Sequence, residues 1–136
     1  AAMIPIGTAL QTTGVSDLIA ASISQYAADL EIFWILLIIL IVTMATTDII
    51  NNAATAVIMA PISTGIAIEL GYAIEPFLMV VAVGASCAFL TPIGHQCNTV
   101  VMGPGNYKFT DYWRMGLPMD ILIIIATIPM ILFVWT

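Results

Sequence analysis

Four apolar blocks occupy most of this sequence, and two of them are cut off by polar, helix-breaking runs before they can cross a bilayer. The blocks are 32–47, 53–70, 76–90 and 117–135. A perpendicular span needs about 20 residues, and at about 1.5 Å per residue the first and third blocks reach roughly 22–24 Å against a hydrocarbon core of about 30 Å. Only the last block comes near the full length. The interruptions read Asp48-Ile49-Ile50-Asn51-Asn52 and Thr91-Pro92-Ile93-Gly94-His95-Gln96-Cys97-Asn98. Irregular backbone at membrane depth persists only where protein or a wet cavity satisfies its polar groups.

Composition closes off the other classes. The chain is 62% apolar and 7% charged, whereas a soluble domain is about a quarter charged. Two Lys plus Arg against eight Asp plus Glu, a net charge of −6, exclude a nucleic-acid partner, which needs clustered cations. The single His, with no HExxH and no Ser–Lys or Asp–Asp pairing, leaves no catalytic constellation, so no enzyme is expected. Cys87 and Cys97 form neither a metal-binding spacing nor a disulfide framework. The start, Ala1-Ala2-Met3-Ile4-Pro5, lacks a basic n-region and reads as the interior of a longer polypeptide.

Lys108 and Arg114 both fall in 103–116, and the positive-inside tendency assigns that segment to the cytoplasm. The last helix then runs outward, and the broken segment 76–103 begins outside, near Glu69 and Glu75. Asp29 and Glu31 share that acidic side if 32–70 enters and returns without crossing, as a re-entrant hairpin of two short helices meeting at Asp48 to Asn52. Segment 1–30 reads as the end of a preceding helix or an interfacial helix, with Ser16 as N-cap, Asp17 in the first turn and a modestly amphipathic 18–30. Asp120 is expected at the cytoplasmic interface. Gly84-Ala85-Ser86 reads as close helix packing, and Met44, Met59 and Met79 as packing or lipid-facing residues. The fold class is all-α integral membrane: a re-entrant hairpin (32–70), one broken transmembrane helix (76–103) and a final transmembrane helix (117–135).

The two breaks share a chemistry. Thr47 closes one helix and Thr91-Pro92 follows the other, and carboxamides come next in both. Asn52 and Asn98 are each expected to cap a half-helix whose free N–H groups and positive dipole end suit an anion. Carbonyls released by the ending helices, joined by Asn and Thr oxygens, suit Na⁺, and secondary transporters use this combination near the midplane. Each residue also has a plainer reading. Asn51 and Asn52 serve as caps alone, His95 is a hydrogen-bonded structural histidine, and Asp48 is either a functional intramembrane acid or a wet residue at a hairpin tip.

The runs Thr46-Thr47-Asp48-Ile49-Ile50-Asn51-Asn52-Ala53-Ala54-Thr55 through Pro61, then Ala85 through Leu90 with Thr91-Pro92-Ile93-Gly94-His95-Gln96-Cys97-Asn98, and Gly103-Pro104-Gly105-Asn106-Tyr107-Lys108-Phe109 resemble the divalent anion:sodium symporter family. The resemblance is closest to the citrate, dicarboxylate and sulfate permease branch, and matches the C-terminal part of a permease three or four times longer. It implies an inverted-repeat transporter, with this chain holding the second hairpin and second broken helix. The family's tip motif is Ser-Asn-Thr, whose Asn contacts both substrate and sodium. Here Asn51-Asn52-Ala53 stands in its place, so Asn52 matches while Asn51 and Ala53 depart. By the same matching Thr47, Asn52 and Gly94 resemble sodium ligands, with Asn51, Asn52, Thr55, His95 and Asn98 as substrate-binding candidates. The implied function is sodium-coupled uptake of a small divalent anion (a dicarboxylate, citrate or sulfate) with Na⁺ as coupling ion. An ion channel or a non-transporting scaffold is the alternative. The implied partners are the bilayer, the missing part of the permease and a second copy in a homodimer, in a multi-pass protein of the inner or plasma membrane.

Overall fold

The computed structural model describes residues 3–27 and 29–135, so the Ala1-Ala2 start and Ala28, within the expected amphipathic segment, lie outside it. Among the described residues seven helices follow one another: α1 (Met3–Thr12), α2 (Val15–Ala27), α3 (Ile32–Ile49), α4 (Asn52–Leu70), α5 (Ile74–Ser86), α6 (Gln96–Met102) and α7 (Phe109–Trp135). No strand occurs among the described residues. The chain is an all-α, multi-pass membrane segment, and α3, α4 and α7 are each long and apolar enough to cross a bilayer.

The helix boundaries refine the block lengths. α3 does not stop at Thr47. It continues through Asp48 and Ile49 to 18 residues, and Ile50 N–H closes its last turn on the Thr46 carbonyl at 2.9 Å. α5 ends earlier than its apolar block suggests, at Ser86, so residues 87–95 are irregular although 87–90 are apolar. α7 begins eight residues before the apolar block 117–135, at Phe109. Asp111 in its first turn accepts the Lys108 N–H at 2.8 Å, so Arg114 belongs to a helix and not to a loop. Pro118 is accommodated inside that helix.

α3 and α4 run as two arms joined at Ile50 and Asn51, with α5 packed against both. Phe77 and Val80 of α5 are fully buried against Ile35, Leu36 and Leu40 of α3 and Ile66 of α4. Between helices in lipid there is little hydrophobic drive, so close approach through small residues has to supply the contact. That is visible twice. A Cβ on Gly84 would lie 3.0 Å from Thr43 Cβ, and one on Gly65 would lie 3.0 Å from Ala20 Cβ. The first contact bears out the packing role expected for the small-residue run. At the end of α4, Gly71 takes the left-handed conformation (φ 73°) that lets Tyr72 N–H reach the Ala67 carbonyl at 2.9 Å and turns the chain into α5.

Residues before Ile32 form two helices and not one. Ser16 is not the N-cap of the second. It lies inside α2, buried, and its hydroxyl donates back to the Leu10 carbonyl of α1 at 2.9 Å. α2 packs on α4 through Ala20, which is fully buried. The α3 start, α4 end and α5 start bring exposed Glu31, Glu69 and Glu75 to one end of the bundle. The Asn51 turn and the irregular segment 87–95 lie at the other end.

Candidate functional site

The end of α3 is stitched to the break after α5 by three hydrogen bonds. Thr47 Oγ1 donates to the Ala85 carbonyl at 2.9 Å, Thr91 Oγ1 donates to the Asp48 carbonyl at 2.5 Å, and Leu90 N–H donates to Asp48 Oδ1 at 3.1 Å. Gly94 makes this approach possible. A Cβ there would fall 2.5 Å from the Thr47 carbonyl oxygen, 2.7 Å from Ala88 Cβ and 3.1 Å from Asp48 Cα. Backbone at that distance cannot give way, so the position admits only glycine.

Asn52, the first residue of α4, turns its carboxamide into this junction. One end of the amide lies 2.8 Å from Thr47 Oγ1 and 3.2 Å from both the Gly94 and the Ala85 carbonyl oxygens. The two ends of the amide do different chemistry there. With nitrogen inward, Asn52 donates to these oxygens. With oxygen inward, Asn52 Oδ1, Thr47 Oγ1 and two carbonyls converge with only the Thr47 hydroxyl proton among them. Four neutral hard oxygens in one place form the kind of donor set an alkali cation takes. Thr47 is fully buried, which keeps bulk water from doing the same work.

The caps differ from expectation. Asn51, not Asn52, caps α4: its Oδ1 accepts the Ala54 N–H at 2.9 Å. The choice follows from Asn52 being engaged elsewhere. His95, not Asn98, caps α6, accepting the Cys97 N–H on Nδ1 at 3.2 Å. Asn98 sits in the first turn of α6, where its Nδ2 donates to the Ala88 carbonyl at 2.8 Å and the Thr91 carbonyl at 3.3 Å. Its own carbonyl accepts the Tyr112 hydroxyl of α7 at 2.7 Å. His95 and Asn98 therefore both have structural work in holding the break, while Asn51 and His95 remain exposed. Thr55, one turn into α4, is fully buried with its Oγ1 unpartnered.

Thr47, Asn52 and Gly94 are thus brought together, whereas Asn51, His95 and Asn98 surround them without sharing the oxygen cluster. The Ala85 carbonyl joins the cluster and was not legible in the sequence, because a main-chain oxygen leaves no residue-type signal. Asp48 is not a wet tip residue, since only 4% of its surface is exposed. Asp120, expected at the cytoplasmic interface, is packed against the rest of the bundle and only 6% exposed. A cavity of about 390 Å³ between α6 and α7 is walled by Phe89, Val101, Tyr112, Met115 and Met119. It excludes Thr47, Asn52 and Gly94.

Comparison with known proteins identifies the family. The family model of the sodium:sulfate symporter transmembrane region matches residues 1–136. An uncharacterised transporter of Synechocystis is 36% identical over 135 residues, 99% of this chain and 22% of the relative. Sodium/sulfate cotransporter 2 of Chlamydomonas reinhardtii is 30% identical over 127 residues, 93% of this chain and 14% of its own length. The sodium-dependent dicarboxylate transporter SdcS of Staphylococcus saprophyticus is 29% identical over 101 residues, 73% of this chain and 19% of its own length. The chain spans about a fifth of the length of the first two curated relatives it matches. A match along the whole chain, together with helices interrupted at polar, oxygen-rich breaks, places this chain in the sodium:sulfate symporter family.

Proposed function

We propose that this chain forms one half of the binding centre of a sodium-coupled carrier for a small divalent anion, a sulfate or dicarboxylate. The observation that carries this is the convergence of Thr47 Oγ1, the Asn52 amide and the Ala85 and Gly94 carbonyls within 2.8–3.2 Å at the first residue of α4. Neither of the chain's two basic residues, Lys108 and Arg114, is buried, which favours a bound cation as the source of positive charge in this part of the site.

Asn52 gives the coupling a physical basis. A cation in the cluster draws Oδ1 inward and turns Nδ2 outward, toward the N-terminus of the 19-residue helix α4. There the amide joins N–H groups of the first turn, which have no partners within the helix, and the positive end of the dipole. Without the cation, the same nitrogen is pulled inward by the surrounding oxygens and the anion loses a donor. Sodium therefore binds first and prepares the anion site. Asn51, Thr55, His95 and Asn98 line the surroundings as substrate-side candidates. Residues 32–70 act as a re-entrant hairpin and 76–103 as the broken helix, with the remaining ligands and a homodimer contact contributed by the rest of the permease.

The test uses the full-length permease in proteoliposomes. Saturable uptake of labelled sulfate or succinate should follow an imposed Na⁺ gradient at constant pH, and Asn52→Ala should abolish it with expression intact. Uptake driven by a pH gradient in sodium-free buffer refutes the sodium reading. Non-saturating flux without gradient coupling favours a channel.

A further inference from the structure

Tyr112 and Gly116 lie one turn apart on one face of α7, and that face grips both ends of the break after α5. Gly116 packs on the main chain entering the break: a Cβ there would lie 2.4 Å from the Phe89 carbonyl oxygen and 3.0 Å from Leu90 N. At the other end, the Tyr112 hydroxyl donates to the Asn98 carbonyl at 2.7 Å. Between these grips the first turn of α6 folds back on the loop. Asn98 Nδ2 donates to the Ala88 and Thr91 carbonyls at 2.8 and 3.3 Å, and Thr99 Oγ1 donates to the Pro92 carbonyl at 2.5 Å. Thr91 Oγ1 in turn accepts the Gly94 N–H at 3.4 Å while donating to the Asp48 carbonyl. A continuous series of hydrogen bonds therefore runs from α7 to Gly94, whose carbonyl is one of the four cluster oxygens.

We infer that Tyr112 is a positioning residue for Na⁺: through Asn98 and Thr91 its hydroxyl holds the Gly94 carbonyl in the oxygen cluster. Packing does not place α6. The helix is seven residues long, none of its side chains is buried, and a cavity of about 390 Å³ separates it from α7. So short a helix has little stability of its own, and the hydrogen bonds at its start set its position. Without the Tyr112 hydroxyl, α6 is free to shift into the cavity, and the loop bonded to it carries Gly94 along. The attraction between a cation and a ligand oxygen weakens as the oxygen withdraws, so the loss is read in Na⁺ affinity. The inference rests on the proposed function in taking the Thr47, Asn52, Ala85 and Gly94 oxygens as the Na⁺ site.

Equilibrium binding of ²²Na⁺ to the purified full-length permease, without anion and at fixed pH, tests it. Tyr112→Phe keeps the ring on the cavity wall and removes only the hydroxyl, and it should weaken Na⁺ binding about two- to tenfold, the range of one neutral hydrogen bond. Met115→Ala shortens another wall of the same cavity without touching a hydrogen bond in the series, and its Na⁺ affinity should match wild type. In an Asn98→Ala background the series is already cut, so adding Tyr112→Phe should weaken Na⁺ binding no further. Wild-type affinity in Tyr112→Phe, with weakened binding in Thr47→Val, overturns the role of Tyr112 and leaves the oxygen cluster standing. Equal losses of affinity in Tyr112→Phe and Met115→Ala would reveal a general packing effect and overturn it too. A loss in Tyr112→Phe without one in Thr47→Val also refutes it, because Tyr112 would then act on a different sodium site. Should Asn98→Ala not fold, the comparison of Tyr112→Phe with Met115→Ala and Thr47→Val decides alone.

Discussion

Replacing Thr47 by Val separates the two roles its hydroxyl combines. The side chain is fully buried, and Val fills nearly the same volume, so the change leaves almost no cavity. What it removes is the oxygen 2.9 Å from the Ala85 carbonyl and 2.8 Å from the Asn52 amide. A lost neutral hydrogen bond costs about 0.5–1.5 kcal/mol, and a fully orphaned buried carbonyl about 1–3 kcal/mol. The Ala85 carbonyl retains the Asn52 amide at 3.2 Å in its nitrogen-inward orientation, so the stability loss should stay near the low end, about 1–2 kcal/mol. Sodium affinity should suffer more. One of four oxygens facing a charge is removed, and an interaction with a charged group is worth about 1.5–3 kcal/mol, or roughly ten- to hundredfold in affinity. Thr47→Ser supplies the control: it keeps Oγ and deletes a methyl, costing about 1 kcal/mol of stability with sodium affinity near wild type. The assays are thermal melting of the full-length permease and the sodium dependence of uptake in proteoliposomes. If Val and Ser lower melting alike and leave sodium half-saturation unchanged, Thr47 is a structural residue and the cluster is no ion site.

Gly94→Ala should lower melting by the equivalent of about 1–3 kcal/mol and abolish sodium-dependent uptake, because the new Cβ would meet the Thr47 carbonyl oxygen at 2.5 Å; normal uptake would show that the junction can open without consequence. For topology, a single Cys at Gly103, where a Cβ meets nothing within 4 Å, should resist impermeant thiol reagents applied from outside, while one at Glu75 should react. Reversed labelling overturns the orientation and the outward-opening hairpin.

The breaks themselves were legible before any coordinates. An apolar block that ends in Asp, Asn, Thr, Pro and Gly marks the end of a helix, because those residues release or cap its backbone. That reasoning identified the all-α membrane class and both irregular segments. The family resemblance added Thr47, Asn52 and Gly94 as ligand candidates, and the fold brings these three within one junction. Local signals failed where two residues were equally suited to one task. Asn51 and Asn52 are both good caps, and only the oxygens of Thr47, Ala85 and Gly94, up to 42 positions away along the chain, draw Asn52 inward and leave the cap to Asn51. At α6 the adjacent choice went to His95, since Asn98 is held by the carbonyls of Ala88 and Thr91.

Burial of the acids is likewise a tertiary result. Nothing in the apolar block marks Asp120 for burial, but α7 begins eight residues before that block, and Gly116 seats its face on Phe89 and Leu90. The rotation of α7 set by that contact carries Asp120 inward. The Ala85 carbonyl enters the cluster for a similar reason: α5 ends at Ser86, and Gly84 allows α3 to approach closely enough for Thr47 to reach it. Hydropathy and helix-breaking residues are properties of a segment, and a sequence displays them directly. Which main-chain oxygens meet, and which acid loses its water, depends on how helices from distant parts of the chain are rotated against one another, and only packing decides that.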